Sequence, residues 1–332
     1  MDMERSTIKV VAEEAGVSPA TVSRVLNQPS IVKPATRDAV YSAMERHNYV
    51  PPAAGRSPKE QLGVIGLVVH SIHLAVTSDL IRSLSDEATA AGLNLLVINT
   101  KGERDLAAFF RDHTQFRRQV DGLVAFSMDL DAEGATLFRS LDLPLVVMQA
   151  RSPATRSIST NNFLGGHDAT EYLKSRGYKR VAFVGWDKYD HRLRGRLAGY
   201  RSASPPGSTE KEICAFKPLS EQGGYDAAAE IFAKPAGETP DGLFFACDAM
   251  AIGGLRYLRE HGIDVPNDVG VVGFDDIQMA EILGLTTMQQ FLNRKAHLAI
   301  EYLRARLNGD IPQSQNDELS ITPRIVVRST TR

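Results

Sequence analysis

Residues 7–27, TIKVVAEEAGVSPATVSRVLN, decide how the N-terminal part of the chain folds. Apolar side chains recur at helical spacing until Gly16 interrupts the pattern, which predicts a first short helix with Thr7 as its N-cap. Ser18 followed by Pro19 predicts the start of a second helix, because the serine hydroxyl accepts a bond from an orphan amide and proline tolerates the first helical position. The stretch therefore predicts two short helices joined by a tight turn.

The second predicted helix has an apolar face and a polar face. Val22, Val25 and Leu26 form the inward stripe, and short polar side chains together with Arg24 form the opposite face. In a helix-turn-helix, such a second helix enters the major groove of DNA with its N-terminal residues at the base edges. The spacing alone leaves open an ordinary helical hairpin within an enzyme.

The same stretch resembles the DNA-binding headpiece of the LacI/GalR family of repressors. Members typically carry TxxDVAxxAGVSxxTVSRVLN, which residues 7–27 match except at Val10, and the likeness continues through KPATRDAVYSAMERHNYVP at residues 33–51. The resemblance makes Arg24 the first candidate base reader, since a guanidinium can bind guanine bidentately, with apolar contacts from Pro19 and Ala20. The full set of DNA-contact residues that it implies is Thr7, Ser18, Pro19, Ala20, Thr21, Ser23, Arg24, Asn27 and Arg56.

The segment after the headpiece departs from the family pattern. Relatives continue with a segment like PNxxARxL, which folds on operator binding and inserts its leucine into the minor groove. This chain has Pro52, Gly55 and Pro58 in place of the asparagine, alanine and leucine. Glycine and proline oppose a helix interior by roughly a few kcal/mol together, so we expect weaker operator bending. Proline can itself serve as an apolar wedge, which leaves minor-groove insertion open.

The remainder of the chain alternates apolar runs with amphipathic helical stretches. GVIGLVV, NLLVINT, DGLVAFSM and PLVVMQ form a first series, and RVAFVG, KEICAF, DGLFFAC and DVGVVGFDD form a second. Such alternation predicts parallel sheets with helices on both faces, and two series imply two lobes with a ligand cleft at the carboxyl ends of the strands. This part resembles the periplasmic-binding-protein-like core of the same family.

The predicted fold is therefore α/β, with an N-terminal three-helix headpiece followed by a two-lobed core with parallel sheets. We expect the headpiece at residues 1–50, a hinge at residues 51–61 and an effector-binding and dimerisation core at residues 62–332. Within the core, lobe 1 is predicted at about residues 62–161 and 291–321, and lobe 2 at about residues 162–290 and 322–332.

Two sequence motifs in the core contain the residues that we expect to bind the effector. RLAGY begins at Arg196, and VVGFDD ends at Asp275 and Asp276; both look like stretches found across the family, in which the arginine and the first aspartate commonly hold the ligand. Such groups suit hydroxyl-rich or anionic molecules, although either residue could instead form a structural salt bridge. Further candidates at or just beyond strand ends are Ser71, His73, Gln149, Arg192 and Cys247.

Composition narrows the class of protein further. Hydrophobic residues make up 43% and charged residues 23% of the chain, values typical of a soluble globular protein. The formal net charge of -2 provides no global basic field, so any affinity for DNA must come from the local motif. Cys214 and Cys247 show no zinc or disulfide spacing, and no stretch has the pattern of a signal peptide or membrane span, which predicts a cytoplasmic protein.

These features predict a sequence-specific transcriptional regulator, a repressor, that binds an inverted-repeat operator as a homodimer. A small-molecule effector, a sugar or related metabolite, is expected to close the lobes and change the spacing of two headpieces. We expect no cofactor, metal or catalytic activity, and no leucine-heptad extension follows the last strand-like segment. The alternatives are a core that responds to a protein partner, a transport-type solute-binding protein, and an enzyme that uses Asp275 with Asp276 or His70 with His73.

Overall fold

The computed structural model describes residues 7–27, 31–47, 49, 61–113, 116, 118–128, 130–150, 152, 155–186, 191–203, 213–235, 237–311 and 317–332. The chain divides into two compact units, Met1–Gln61 and Leu62–Arg332. The helices are α1 (Ile8–Glu14), α2 (Pro19–Asn27), α3 (Pro34–Arg46), α4 (Ala75–Ala90), α5 (Leu106–Asp112), α6 (Ala132–Ser140), α7 (Asn162–Ser175), α8 (His191–Ser202), α9 (Glu221–Phe232), α10 (Asp248–Glu260), α11 (Gln278–Ile282) and α12 (Leu292–Asn308). The strands are β1 (Val64–Val69), β2 (Asn94–Asn99), β3 (Gly122–Phe126), β4 (Leu145–Met148), β5 (Arg156–Thr160), β6 (Val181–Gly185), β7 (Ile213–Phe216), β8 (Gly242–Phe245), β9 (Gly270–Asp275), β10 (Thr286–Gln289), β11 (Glu318–Ile321) and β12 (Arg324–Val326).

The N-terminal unit packs α1, α2 and α3 around one small core. Gly16 adopts a φ of +64° after α1, a left-handed conformation that glycine reaches without a steric penalty and that allows the sharp turn into α2. The Ser18 hydroxyl accepts a hydrogen bond from the Thr21 amide at 3.1 Å, which confirms the predicted start of α2. The side chains that fill the core are Val11, Ala12, Val22, Val25, Val40, Ala43 and Tyr49.

The start of α1 differs from the prediction in one respect. Thr7 occupies the N-cap position in an extended conformation, but its side chain makes no capping hydrogen bond. The first turn of α1 also contains no acidic residue, so it receives no favourable charge near its N-terminus. We infer that α1 is stabilised by burial of Val11 and Ala12 and not by its cap.

The C-terminal unit contains two six-stranded sheets. The strand order is β11-β5-β4-β3-β1-β2 in the first sheet and β12-β10-β9-β8-β6-β7 in the second. Among the strands that the structure describes, all pairings are parallel except the β10–β12 edge pair. The central strands are apolar throughout because helices cover both of their faces; β3, for example, is buried along its whole length. The α/β class predicted from the sequence is confirmed.

The chain passes between the two sheets at three places. It leaves the first sheet after β5, returns from the second sheet between β10 and α12, and crosses again between β11 and β12. The first sheet therefore depends on a segment distant in sequence, since α12 packs on β3, β4 and α4 and completes the apolar core of that sheet. The crossings bring residues near 160, 290 and 322 together at one end of the sheets.

Candidate functional site

The second helix of the N-terminal unit presents a polar surface. Val22 and Val25 are fully buried on its inner side. Among the predicted DNA contacts, Thr7, Ser18, Pro19, Ala20 and Arg24 are exposed, and Thr21 and Ser23 are half-buried. Arg24 lies about 7.5 Å further along α2 than Pro19, at a rise of 1.5 Å per residue. Because the first turn carries only small side chains, α2 can approach a groove closely and place one cation beside the bases.

An ion-pair cluster fixes α1 against the end of α3. The Glu14 carboxylate accepts hydrogen bonds from Arg46 Nε at 2.9 Å and from His47 Nε2 at 3.0 Å. The bond from His47 is the main cause that lowers the pKa of Glu14. These contacts occupy the side of the unit formed by α1 and α3 and leave α2 with its polar surface outward. The side chain of Asn27, the whole of Arg56 and the hinge segment 51–60 lie outside the described residues.

A cleft in the C-terminal unit lies at the carboxyl ends of strands from both sheets, where α/β proteins commonly bind ligands. Its volume is about 640 Å³, including its open mouth. Ser127 and Gln149 follow β3 and β4 of the first sheet, while Cys247 follows β8 and Asp275 ends β9 of the second. The complete lining is Leu74, Ala75, Val76, Phe126, Ser127, Gln149, Arg192, Leu193, Arg196, Leu219, Cys247, Ala249, Asp275, Ile277 and Gln290.

A buried polar network joins the two lobes at the base of this cleft. Gln149 Nε2 donates to Thr160 Oγ1 at 3.1 Å and also to Gln290 Oε1. Gln290 accepts a bond from Thr160 Oγ1 at 2.8 Å and donates through Nε2 to Asp275 Oδ1. The Lys295 ammonium donates to Thr160 Oγ1 from the first turn of α12. The network therefore links the ends of β4 and β5 in the first sheet to the end of β9 in the second.

The backbone at the cleft is held in unusual conformations. Ser127, Gln149 and Asp275 have φ values of +54°, +58° and +129°, which residues with a side chain rarely adopt. Such conformations cost of order 1–3 kcal/mol each and cluster at functional sites. Each of the three residues ends or follows a strand, so the strain turns the chain sharply and aims polar side chains into the cleft.

Polar groups and an aromatic ring surround the buried Arg196 side chain on α8. Its Nε donates to Asn162 Oδ1 at 2.9 Å, and Nη1 donates to the Ala246 carbonyl. The guanidinium carbon lies 3.6 Å from the centroid of the Phe274 ring, and Nη1 lies 3.8 Å from Asp275 Oδ1. Burial raises the pKa of Asp275 to about 6, and the neighbouring Arg196 charge opposes that rise. Arg196 thereby fixes the aspartate at the cleft floor.

Arg192 forms a direct contact between the lobes. It lies one helical turn before Arg196 on α8, and its Nη1 donates to Ser127 Oγ at 2.6 Å. Ser127 belongs to the first sheet, whereas α8 packs on the second. The bond spans the cleft, so the distance between the lobes determines whether it can form.

Two further aspartates near the cleft have structural partners. Asp276 accepts from Arg328 Nη2 at 2.7 Å and from Gln289 Nε2 at 2.8 Å. Asp248 is fully buried and accepts from the Ile277 amide at 2.9 Å. Burial raises the pKa of Asp248 to about 7. Asp275 and Asp276 thus have different partners in spite of being adjacent in sequence.

Comparison with known proteins identifies the family. The model described as bacterial regulatory proteins, lacI family, matches residues 7–52, and the model of a periplasmic binding protein-like domain matches residues 170–331. The ribose operon repressor of Escherichia coli strain K12 is 31% identical over 338 residues, which cover 97% of this chain and 99% of that protein. The chain belongs to the lacI family. The repressor PurR of Haemophilus influenzae strain PittEE is 29% identical over 340 residues, with 98% of this chain and 99% of that protein covered.

Solved structures of lacI-family proteins share the fold. The transcriptional regulator CelR in complex with cellobiose superimposes with a TM-score of 0.69 at 25% identity, covering 98% of this chain and 100% of that one. The lac repressor dimer bound to operator and the anti-inducer ONPF gives a TM-score of 0.69 at 27% identity, with 99% of each chain covered. The predicted resemblance is confirmed, and this lacI-family chain is a DNA-binding transcriptional regulator.

The structure brings most, but not all, of the predicted effector residues of this lacI-family core together. Gln149, Arg192, Arg196, Cys247 and Asp275 all line the cleft. Burial raises the pKa of Cys247 to about 12, so its thiol stays neutral.

Ser71 and His73 are not among the residues that line the cleft. Ser71 Oγ accepts the His73 amide at 3.3 Å within the turn after β1, and the His73 side chain is exposed. The wall at this position is formed instead by Leu74, Ala75 and Val76, which begin α4. Position after a strand predicts that a side chain lies near the cleft, but it does not predict in which direction the turn projects it.

Sequence reasoning missed three residues that the geometry makes prominent. Ser127 receives the Arg192 bond, Gln290 lies at the centre of the buried network, and Lys295 is fully buried beneath it. Ser127 could have been found from its place directly after β3. A lysine at an inward position of the apolar stripe of α12 was a signal too, because lysine is almost never fully buried without a partner.

None of the helices in the described ranges is both long enough and apolar enough to cross a membrane.

Proposed function

We propose that this chain is a transcriptional repressor that binds a small-molecule effector in the cleft and operator DNA through two copies of α2 in a homodimer. The network of Gln149, Thr160, Gln290 and Asp275 is the observation that carries the proposal, because it joins both lobes directly below the cleft. A ligand that replaces any of these bonds changes the relative stability of two lobe arrangements. A ligand can shift a conformational equilibrium only through such differential contacts.

Five members of the DNA-contact set proposed from the resemblance are exposed, which supports them as DNA contacts: Thr7, Ser18, Pro19, Ala20 and Arg24. Arg24 is the proposed base reader, Pro19 and Ala20 supply close apolar contacts, and the other members bind phosphate or support the approach. The lac repressor structure named above is a dimer bound to operator, and we propose the same assembly for this chain. Two half-sites related by the dimer axis then form an inverted repeat. Access to the chromosome requires a cytoplasmic location.

The effector contacts that we propose are Gln149, Arg192, Arg196, Cys247 and Asp275, with Ser127 and Gln290 added from the structure. The named relatives include a ribose operon repressor and a regulator bound to cellobiose, which supports a metabolite-sized ligand. Lobe closure around the ligand would change the separation of the two headpieces and therefore the affinity for paired half-sites.

We propose no catalytic activity for this regulator. The sequence alone permitted the alternative of an enzyme in which Asp275 and Asp276 act as an acid–base pair. In the structure, Arg196 and Gln290 hold the first aspartate while Arg328 and Gln289 hold the second, so each carboxylate has a structural role.

Selection from random duplex DNA with the purified full-length protein tests the DNA-binding part. The expected product is an inverted repeat whose affinity falls when the half-site spacing is altered by about half a helical turn, or 5 base pairs. Enrichment of no sequence at low ionic strength would contradict the proposal. A metabolite screen against the selected complex then tests the effector part, with a change in operator affinity and a matching thermal stabilisation as the expected result.

A further inference from the structure

We propose that Asp79 on α4 holds the two lobes together beside the cleft and thereby sets how readily the cleft opens. The inference rests on the lobe movement proposed above and adds a positioning residue that regulates it. It follows from a ring of hydrogen bonds between Asp79, Arg82 and Gln278, which joins α4 to α11. These three residues are called the latch.

The two helices that meet at the latch belong to different lobes. Leu80 and Leu84 of α4 lie in the apolar core of the first sheet. Ala280 of α11 and Ile277, directly before α11, lie in the apolar core of the second sheet. Val76, in the first turn of α4, packs against both cores. A bond between α4 and α11 is therefore a bond between the lobes, and it must break when they separate.

Asp79 accepts a hydrogen bond from each lobe. Its Oδ2 accepts from the backbone amide of Gln278 at 3.0 Å, and its Oδ1 accepts from Arg82 Nη2 at 2.7 Å. Arg82 Nη1 in turn donates to Gln278 Oε1 at 3.0 Å and closes the ring. Gln278 is the first residue of α11, and the first amides of a helix have no acceptor within it. The carboxylate of the other lobe supplies that acceptor.

The bond between Asp79 and the Gln278 amide contributes most to the latch. The Asp79 side chain is 16% exposed, whereas the Arg82 side chain is 53% exposed. Solvent weakens an exposed ion pair, but a hydrogen bond to a charged, largely buried acceptor is stronger than a neutral one. We therefore expect loss of the amide bond to raise the ratio of open to closed lobes about tenfold.

The latch shares its two chain segments with the wall of the cleft. Val76 lies one helical turn before Asp79 on the same face of α4, and Ile277 directly precedes Gln278; Val76 and Ile277 line the cleft. The Ile277 amide donates to Asp248 Oδ2 at 2.9 Å, which anchors the start of α11 in the buried part of the second lobe. The latch residues themselves are not among those that line the cleft. The latch and a bound ligand therefore act on the same lobe movement from separate positions.

Distances between spin labels in the full-length protein without ligand test the inference. Ketone-bearing residues for labelling replace Glu133 on α6 and Glu221 on α9, which are exposed and lie in opposite lobes, and double electron–electron resonance measures their separation. The wild type should show mainly the short distance of closed lobes. Asp79→Ala should raise the ratio of long to short distances about tenfold. Asp79→Asn keeps an oxygen that can accept from the Gln278 amide, so its ratio should lie between the two.

A second variant removes the same bond from the other lobe. Gln278→Pro removes the amide hydrogen and the glutamine side chain, and proline is well tolerated at the first position of a helix. Ile277 has φ −69° and ψ 158°, a conformation that a residue before proline prefers. Gln278→Pro should open the lobes about as much as Asp79→Ala. The double variant should open them no further, because both changes break one bond.

A matched control and a second measurement complete the test. Asp86→Ala makes the same change about two turns further along α4 at an exposed residue and should match the wild type. The inference is wrong if Asp79→Ala leaves the distances unchanged, or if the effects of the two single changes multiply in the double variant. Affinity for the selected operator is measured on the same proteins. Lobes that open with no change in that affinity would contradict the coupling in the proposed function and leave the latch intact.

Discussion

Replacement of Lys295 by methionine should stabilise the protein at neutral pH. The lysine is fully buried at an inward position of the first turn of α12, and its ammonium group donates to Thr160 Oγ1. Burial, together with the nearby Arg196 charge, lowers the pKa of Lys295 from its ordinary value of 10.5 to about 7. At 1.36 kcal/mol per pKa unit, this lowering corresponds to a destabilisation of about 5 kcal/mol.

The direction of the change in stability with pH, and the pH range in which it occurs, follow from proton binding. Between about pH 10.5 and pH 7 the unfolded chain takes up a proton that the folded chain does not, so stability falls as the pH falls through this range. Below about pH 7 both states are protonated and the cost is constant. Methionine has a similar length and no charge, but it loses the bond to Thr160, worth about 1 kcal/mol. We therefore expect Lys295→Met to gain about 2–4 kcal/mol at pH 7, in line with other buried charges replaced by apolar residues.

Urea unfolding of the full-length protein between pH 7 and pH 10 measures this difference, because Trp186 is the one tryptophan of the chain and reports on the second lobe. The advantage of Lys295→Met should shrink by about 1.4 kcal/mol per pH unit as the pH rises, because removing the proton that the unfolded wild-type chain binds costs less at higher pH. Lys101→Met, at an exposed turn after β2, should stay within about 0.5 kcal/mol of the wild type. The reasoning is refuted if Lys295→Met is less stable at pH 7, or if its advantage does not vary with pH.

Three other changes probe the remaining parts of the molecule. Arg24→Ala should reduce affinity for the selected operator by about 10- to 100-fold and for unrelated duplexes far less, as titrations at one salt concentration would show; an equal loss on both would make Arg24 a phosphate contact. Gly166→Ala should destabilise the core strongly, because a Cβ there would lie 2.1 Å from the Arg196 carbonyl oxygen, and a thermal melt unchanged from the wild type would disprove this packing argument. Pro58→Leu restores the residue that relatives use as a wedge, so the operator bend measured by gel circular permutation should increase; a sharp kink already present in the wild type and lost in the variant would reverse our expectation.

Local sequence signals were sufficient to predict the helices of the headpiece. The start of α2 follows from Ser18 and Pro19, and its inward face follows from Val22 and Val25 at helical spacing. These features depend on residues within one or two helical turns of each other. The contacts that determine them are therefore visible in the local sequence. The capping bond at Thr7 was a wrong expectation because residue type at an N-cap permits the bond without requiring it.

Some strands of the core could be predicted from the local sequence and others could not. Long apolar runs such as β1, β3 and β9 were recognisable because both faces of these strands are covered. The strands β5, β10 and β11 contain serine and threonine or glutamate, and they are only four or five residues long. Nothing local distinguishes such segments from loops; their strand conformation comes from pairing with an existing sheet.

The cleft network could not have been found from local patterns because its members lie on stretches of the chain that are far apart in sequence. Gln149, Thr160 and Gln290 meet only because the chain crosses between the sheets beside them, and the crossing also buries Lys295. A structure selected only for stability would not keep a buried ammonium or three strained backbone positions at the same place. A ligand that replaces the bond from Arg192 to Ser127, or a bond of the buried network, would shift the equilibrium between lobe arrangements, since these contacts join the lobes.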